Sequence, residues 1–111
     1  MALPTALTFG GQKYTIKFID NLKSHKKSEL LGLCVFAKNE IHLDPNQGLS
    51  SLKSTLLHES VHAMANAMDW DAKEATVVKV EKLIYAMVKE NPHLFRWLLE
   101  KEKPNHTEET L

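Results

Sequence analysis

The stretch "STLLHESVHAMANAM" (residues 54–68) decides the fold, because it combines an apolar helix with polar side chains in its middle. Its leucines, alanines and methionines favour an α-helix. His58, Glu59 and His62 nevertheless lie among these apolar residues. Burying such groups costs free energy unless they have partners. The sequence therefore predicts that a metal ion satisfies them.

The metal is indicated by the spacing of the two histidines. Residues 58–62 spell HESVH and match the pattern H-E-x-x-H. Histidines four positions apart project from one helical face one turn apart, so both imidazoles can bind one ion. Glu59 points to the side of this pair, where it can act as a general base and not as a ligand.

The remaining positions of this helix agree with that interpretation. On a helical wheel the polar residues fall within one arc of roughly 100°; they are Thr55, His58, Glu59, His62 and Asn66. Most other positions are apolar. This pattern predicts a helix nearly surrounded by core, with one polar stripe facing a cavity.

A third ligand has to come from elsewhere, because a catalytic zinc site takes three protein ligands and leaves the fourth position to water. The candidates are Glu74 and Glu81, which share one stripe of the following helix with Tyr85. The short connection "DWDAKE" makes the two helices antiparallel neighbours. The second helix then begins close to His62, which favours Glu74.

Two alternatives for these carboxylates stay open. Asp71-Ala-Lys-Glu74 has the spacing of a capping box, in which the glutamate bonds back to the backbone of the helix start. In the second alternative, Glu81 is the third ligand. Asp69 and Asp71 are interpreted as turn and cap residues.

The segment before the motif helix predicts a small sheet. "KYTIKFI" (residues 13–19) alternates between apolar and polar residues, as strands do. "LGLCVFAKNEIHLD" predicts a hairpin with arms at residues 33–37 and 40–43 and a turn at residues 38–39. His42 alternates with apolar neighbours in this hairpin and is expected on its polar face.

Three helices are predicted after the sheet. The first covers residues 52–68 and is capped by Ser50 or Ser51. The second covers residues 72–89. The third begins at Pro92, with Asn91 as its N-cap. The expected class is α+β: a short antiparallel sheet packed on two long helices, with a third helix at the C-terminal end.

The length of 111 residues is enough for one domain. We expect a flexible N-terminal lead-in at residues 1–12, a single domain at 13–103 and a polar C-terminal tail at 104–111. Lys+Arg and Asp+Glu both number 14, so charge provides no case for nucleic-acid binding. No apolar run predicts a membrane span and no signal peptide is expected. The single Cys34 fits the cytoplasm.

HESVH, followed at residues 73–80 by "KEATVVKV", resembles the small gluzincin-type metallopeptidases, in particular the ImmA/IrrE-like proteins of bacteria and phages. Glu74-Ala75 falls where that family carries its third zinc ligand. The resemblance covers roughly residues 30–92 and implies a zincin-type core. It also implies a phage repressor or host protein as partner, in the cytoplasm of a bacterial host.

The expected activity is zinc-dependent hydrolysis of a peptide bond in an intracellular protein or peptide. His58, His62 and Glu74 would hold Zn²⁺, and Glu59 would assist the attack of zinc-bound water. The strand at residues 40–43 is expected to lie along the cleft and to pair with an extended substrate, which the resemblance implies as well.

Two non-enzymatic functions compete with this prediction. One is a regulatory or phage-encoded binding protein that keeps the fold and the metal site. The other is a metal-stabilised scaffold of a phage particle or host-takeover complex. Glu59 favours the enzyme, because a purely structural site does not need a general base. Structural zinc is also usually held by four protein ligands, and the sequence offers three.

Overall fold

The computed structural model describes residues 3–22 and 30–101 as an α+β arrangement with a mixed four-stranded sheet. The sheet packs mainly against the first long helix, and the second long helix packs on the first, so the predicted packing of the sheet on both long helices is wrong. The described elements follow one another as β1 (Ala6–Phe9), β2 (Gln12–Phe18), β3 (Gly32–Val35), β4 (Glu40–Leu43), α1 (Leu49–Ala67), α2 (Glu74–Glu90) and α3 (Pro92–Leu98). The predicted α+β class is confirmed. Residues 104–111, for which a polar tail is predicted, lie outside the described residues.

The sheet has the strand order β1-β2-β4-β3. β1 and β2 are antiparallel, as are β3 and β4, so the predicted pairing of β3 with β4 is present. Its first arm is shorter than predicted, because the chain turns through a 3-10 helix at Phe36–Lys38 before β4. β2 and β4 are parallel, with Ile16 opposite Ile41. The prediction of a purely antiparallel sheet is therefore wrong for this central pair. It also follows that β4 is an internal strand and β3 an edge strand.

β1 differs from the flexible lead-in predicted for residues 1–12. It pairs with β2 through a two-residue turn at Gly10 and Gly11, whose φ angles are +57° and +85°. A hairpin turn with positive φ at both central residues matches the twist of its strands and favours glycine. Four residues are too few to show the alternation from which a strand is predicted.

The core lies between the inner face of the sheet and α1. Alternate residues of β2 and β4 point inward and are buried: Tyr14, Ile16, Ile41 and Leu43. Phe9 packs edge-on against the Tyr14 ring at 5.4 Å. The burial alternates because successive side chains of a strand point to opposite faces. The sheet is thereby held against α1.

The helix starts differ from two of the predicted caps. α1 begins at Leu49 and has Gly48 as its N-cap. Ser51 therefore lies inside the helix, where its hydroxyl donates a hydrogen bond to Gln47 Oε1 at 2.6 Å. α2 has Lys73 as its N-cap, so Asp71 lies outside the helix. α3 begins at Pro92 after Asn91, as predicted.

α1 is less enclosed than the sequence predicts. Leu49 is 66% exposed and Met68 is 69% exposed, so both ends of the helix extend beyond the core. Ala63 in the middle is fully buried. Within residues 3–22 and 30–101, no helix combines the length and apolar character needed to cross a membrane.

Gly10→Ala is expected to destabilise the protein more than Gly11→Ala. Both substitutions strain a backbone with positive φ, at a cost of about 1–2 kcal/mol. At Gly10 the added Cβ would also lie 2.6 Å from Ala67 Cβ, whereas at Gly11 it would meet nothing within 4 Å. Overpacking of this kind costs about 1–3 kcal/mol more. Urea unfolding of both variants measures the difference, and equal losses of stability would contradict the contact between the turn and α1.

Candidate metal centre

The candidate centre lies where α1 and α2 pack against each other. Glu74 at the start of α2 contacts His62 near the end of α1, while Glu81, two turns later, contacts the earlier residue Ser54. The two helices therefore run antiparallel, as the short connection between them predicts. This packing brings residues of the motif helix and of the following helix together.

Three side chains converge at this contact: His58, His62 and Glu74. His58 Nε2 lies 2.6 Å from Glu74 Oε1, and His62 Nε2 lies 3.0 Å from Glu74 Oε2. One ligand atom of each residue lies within 4.8 Å of the others. The structure thus brings together the three side chains that the sequence singles out as metal ligands.

The donor set fits a zinc ion. Nitrogen and oxygen donors about 2.0–2.1 Å from a tetrahedral zinc are roughly 3.3 Å apart. The two His–Glu contacts are shorter, at 2.6 and 3.0 Å, so the Glu74 carboxylate would have to move outward to admit an ion. The Glu74 side chain is 65% exposed and the two histidines are largely buried, so the carboxylate is free to adjust. Two imidazoles and one carboxylate suit zinc. Three protein donors leave a fourth position open.

Glu74 is the first residue of α2 and not the third, so it does not have the position of the glutamate in a capping box. Its carboxylate lies instead at the N-terminal end of α2 and contacts both histidines. The structure therefore places this side chain at the histidines and does not use it to cap its own helix.

Glu81 is buried behind His58 and is not part of the converging group. Ser54 Oγ donates a hydrogen bond to Glu81 Oε2 at 2.9 Å, and Glu81 Oε1 lies 3.3 Å from His58 Nδ1. A carboxylate that accepts the Nδ1 proton of a histidine fixes the tautomer in which Nε2 is free to bind a metal. Glu81 is thus placed to orient a ligand, and the alternative in which it is the third ligand loses its support.

Glu59 is buried next to the converging group and faces β3. Burial raises its pKa to about 7 from an ordinary value of 4.5; the negative charge of Glu74 adds to this, while His58 and a hydrogen bond from the Cys34 backbone N–H oppose it. A carboxyl group with a pKa near neutrality is suited to both accepting and donating a proton. The role of Glu59 as a general base stays a prediction.

β3 approaches α1 closely because residue 32 has no side chain. A Cβ built on Gly32 would overlap Thr55 Cγ2 and would lie 3.2 Å from Glu59 Cγ. The Asp44 N–H donates a hydrogen bond to the Leu31 carbonyl at 2.9 Å, so the backbone groups of Leu31 face β4. Those of Leu33 and Val35 then face β4 as well. By alternation, the polar backbone groups of Gly32 and Cys34 face away from β4, towards the free edge.

Among residues 3–22 and 30–101, the sheet edge beside Glu59 is therefore that of β3, which has no neighbouring strand on its outer side. The expectation that the strand at residues 40–43 pairs with a substrate is wrong, because β4 lies between β2 and β3. Sequence patterns locate strands but do not give their order in a sheet. The parallel pairing of β2 with β4 leaves β3 at the edge.

Two clefts of about 290 Å³ each flank the converging group. One lies on the side of β3 and is lined by Leu30, Leu31, Gly32, Ser54, Thr55, His58, Glu59 and Glu81. The other lies beyond His62 and is lined by Phe36, His62, Ala65, Asn66, Asp69, Trp70, Asp71 and Ala72. The predicted polar stripe of α1 thus opens onto two clefts and not onto one cavity.

Other candidate residues lie away from this group. His42 Nε2 lies 2.9 Å from Glu40 Oε1, and Lys17 pairs with the same carboxylate at 2.7 Å. Hydrogen bonds from Lys17 and His42 lower the pKa of Glu40 to about 2. Tyr85 packs under Lys89 Nζ, 5.5 Å from its ring centre. These contacts account for His42, Glu40 and Tyr85 without a role at the centre.

Sequence reasoning missed three contributors to the centre. Ser54 lies one turn before His58 on the same face, so its spacing could have indicated the contact. Gly32 and the Cys34 backbone N–H gave no signal, because their role depends on where β3 packs. Burial raises the pKa of the Cys34 thiol to about 12, so this side chain is a packing residue and not a nucleophile.

Comparisons of the chain with protein-family models, with curated proteins and with solved structures gave no match. The resemblance to the ImmA/IrrE-like metallopeptidases therefore stays a prediction from the motif. The chemistry of the centre has to follow from its own donor atoms, distances and burial.

Glu59→Gln is expected to stabilise the metal-free protein at pH 8. Because the folded protein raises the Glu59 pKa from 4.5 to about 7, it retains a proton that the unfolded chain loses, and stability falls as the pH rises through this range. The glutamine side chain of the variant does not ionise, so the variant avoids this loss of stability, which amounts to up to about 3 kcal/mol in the wild type. Urea unfolding with a chelator at pH 4 and pH 8 measures it.

The matched control for this prediction is Glu90→Gln, which changes an exposed carboxyl group on α2. We expect the stability of this variant to follow the pH dependence of the wild type. If Glu59→Gln and the wild type also lose stability in parallel between pH 4 and pH 8, Glu59 does not carry the buried, perturbed carboxyl group described here.

Proposed function

We propose that the protein is a zinc-dependent metallopeptidase that hydrolyses a peptide bond in an intracellular protein or peptide. The observation that supports this most is the convergence of His58, His62 and Glu74 beside a buried Glu59. Three donors with an open fourth position are typical of catalytic zinc, whereas structural zinc is usually closed by four protein ligands.

The chain's own residues have distinct tasks in this proposal. His58, His62 and Glu74 hold zinc, which when bound supplies a Lewis acid for the carbonyl of the scissile bond and lowers the pKa of water towards 7. Glu59 accepts a proton from the attacking water and returns it to the leaving amine. Glu81 keeps His58 in the tautomer that leaves Nε2 available.

The proposed substrate is an extended polypeptide that adds to the free edge of β3. The outward N–H and carbonyl of Gly32 and the outward carbonyl of Cys34 are available to such a strand, whereas the Cys34 N–H is bonded to Glu59; strand addition is a common mode of peptide binding. The edge passes Glu59 at the contact between Gly32 and α1. The scissile bond would then lie close to the converging group, with side chains entering the two flanking clefts.

A second candidate function is a non-enzymatic binding protein that keeps the metal site. The observation in its favour is the same edge of β3, because an extended segment can be bound there without being cleaved. The buried carboxyl group of Glu59 distinguishes the two functions. Binding alone gains nothing from a group whose burial costs stability, whereas hydrolysis needs a base at this position.

Metal content tests the ligand set. Wild-type protein purified without chelators is expected to contain about one zinc per chain, and Glu74→Ala to lose it, because two imidazoles alone hold zinc weakly. Glu81→Ala should keep the stoichiometry with an affinity about 10–100-fold lower, as for other residues that orient a ligand. Mass spectrometry of metals, followed by titration with a competing chelator, measures both quantities.

Glu40→Ala is the control for the metal measurement, because Glu40 contacts a histidine outside the centre. It is expected to bind zinc like the wild type. A wild type that contains no metal and is not stabilised by added zinc would overturn the proposed centre. Loss of zinc on Glu81→Ala but not on Glu74→Ala would exchange the roles assigned to these two carboxylates.

Turnover tests the role of Glu59. The wild type is expected to cleave members of a mixed peptide library, with new termini detected by mass spectrometry, and to lose activity with a chelator and regain it with zinc. Glu59→Gln should keep one zinc per chain and lower the cleavage rate by about 10²–10⁴-fold, because it removes the base. Zinc binding without cleavage by the wild type would favour the binding protein.

A further inference from the structure

The C-terminal part of α2 and the segment formed by α3 and Leu99 expose large apolar side chains. Six of them, between 38% and 82% exposed, form what we call the α2–α3 apolar face: Leu83, Met87, Leu94, Trp97, Leu98 and Leu99. Leu83 and Met87 are one helical turn apart on α2, as are Leu94 and Leu98 on α3. Because α3 follows directly on α2 and contacts it, we treat these side chains as one surface. Large exposed apolar surfaces are typical of interaction sites.

The rest of the described chain leaves this face open. The buried residues of α2 are Val77 and Glu81, both in its first half, where it packs on α1.

The area of the face matches what a stable pair of chains needs. Burying an aliphatic side chain removes about 60–120 Å² of apolar surface from water, so the six residues supply on the order of 500 Å². About 60% of the area of an interface is apolar. An apolar area of about 500 Å² therefore corresponds to a total of roughly 800 Å² per chain once the polar rim is included. That is the typical size for a specific protein–protein interface. Trp97, which is 65% exposed, is suited to be its anchor.

The charges around the face are compatible with a second copy of the same chain. Lys82, Lys89 and Arg96 are exposed together with Glu90 and Glu100. A rim of one sign would repel a second copy, whereas a rim of mixed sign lets a lysine of one chain approach a glutamate of the other. Most symmetric pairs use the same patch on both chains, so a self-complementary rim is what a two-fold dimer requires.

We propose that two copies of this chain form a two-fold symmetric dimer through the α2–α3 apolar face. The pairing is independent of the proposed peptidase activity, because Glu74 lies at the opposite end of α2 from Met87. Each copy contributes the second half of α2 and α3, which then bury their apolar side chains against each other. The open edge of β3 and the two clefts are not used.

Analytical ultracentrifugation of the full chain between about 1 and 300 µM tests the dimer. The wild type is expected to change from the monomer mass of 12.6 kDa to twice that mass as its concentration increases. Leu83→Glu and Trp97→Glu place a charge on either helix of the face and should raise the dissociation constant about 30-fold or more. Met68→Glu changes an exposed apolar residue outside the face and should leave the dissociation constant unchanged.

Tryptophan fluorescence provides a readout that needs no charged variant. The chain has two tryptophans, so Trp70→Phe leaves Trp97 as the single reporter. Its emission is expected to move to shorter wavelength over the same concentration range in which the mass doubles. Trp97→Phe, which leaves Trp70 as the reporter, should show no such shift.

The proposal is overturned if the wild type stays monomeric throughout the concentration range. It is also overturned if the chain is a monomer that uses this face to bind a different protein. The proposal also fails if a dimer forms whose dissociation constant is unchanged by Leu83→Glu and Trp97→Glu while both variants are folded by circular dichroism. If a charged variant does not fold, the Trp70→Phe variant provides the test. Trp97 emission that does not change with protein concentration then overturns the proposal.

Discussion

The antiparallel packing of α1 on α2 is the interaction on which the candidate site depends. It brings Glu74 to His58 and His62, with ligand atoms no more than 4.8 Å apart, and it buries Glu81 behind the same histidine. Ion pairs between these groups are weak where the side chains are exposed. The exposed part of this contact therefore contributes little to stability, and the proposed function assigns it to binding a cation.

A second constraint is the close approach of β3 to α1 at Gly32. It places a backbone N–H within hydrogen-bonding reach of Glu59 and at the same time removes this carboxyl group from water. The two effects oppose each other, and the burial is the larger, since the pKa rises. A group that costs stability in the metal-free protein is consistent with a catalytic role and has no evident structural purpose.

The sheet and the last two helices leave two different surfaces open. β3 offers backbone hydrogen-bonding groups at the sheet edge, which suits an extended chain of varied sequence. The second half of α2 and α3 offer apolar side chains, including Trp97, which suit a partner of fixed shape. A single small domain can thus separate the binding of a substrate from association with another copy.

The sequence by itself determined the elements whose signals are local. The H-E-x-x-H spacing, the short link to α2 and the Asn91-Pro92 helix start predicted the motif helix, its neighbour and the choice of Glu74, because helical spacing and chain length leave few alternatives. Only the tertiary structure decided that β2 pairs in parallel with β4, that β3 is the edge strand, and that Glu81 lies behind His58. These depend on contacts between distant residues, which no local pattern encodes.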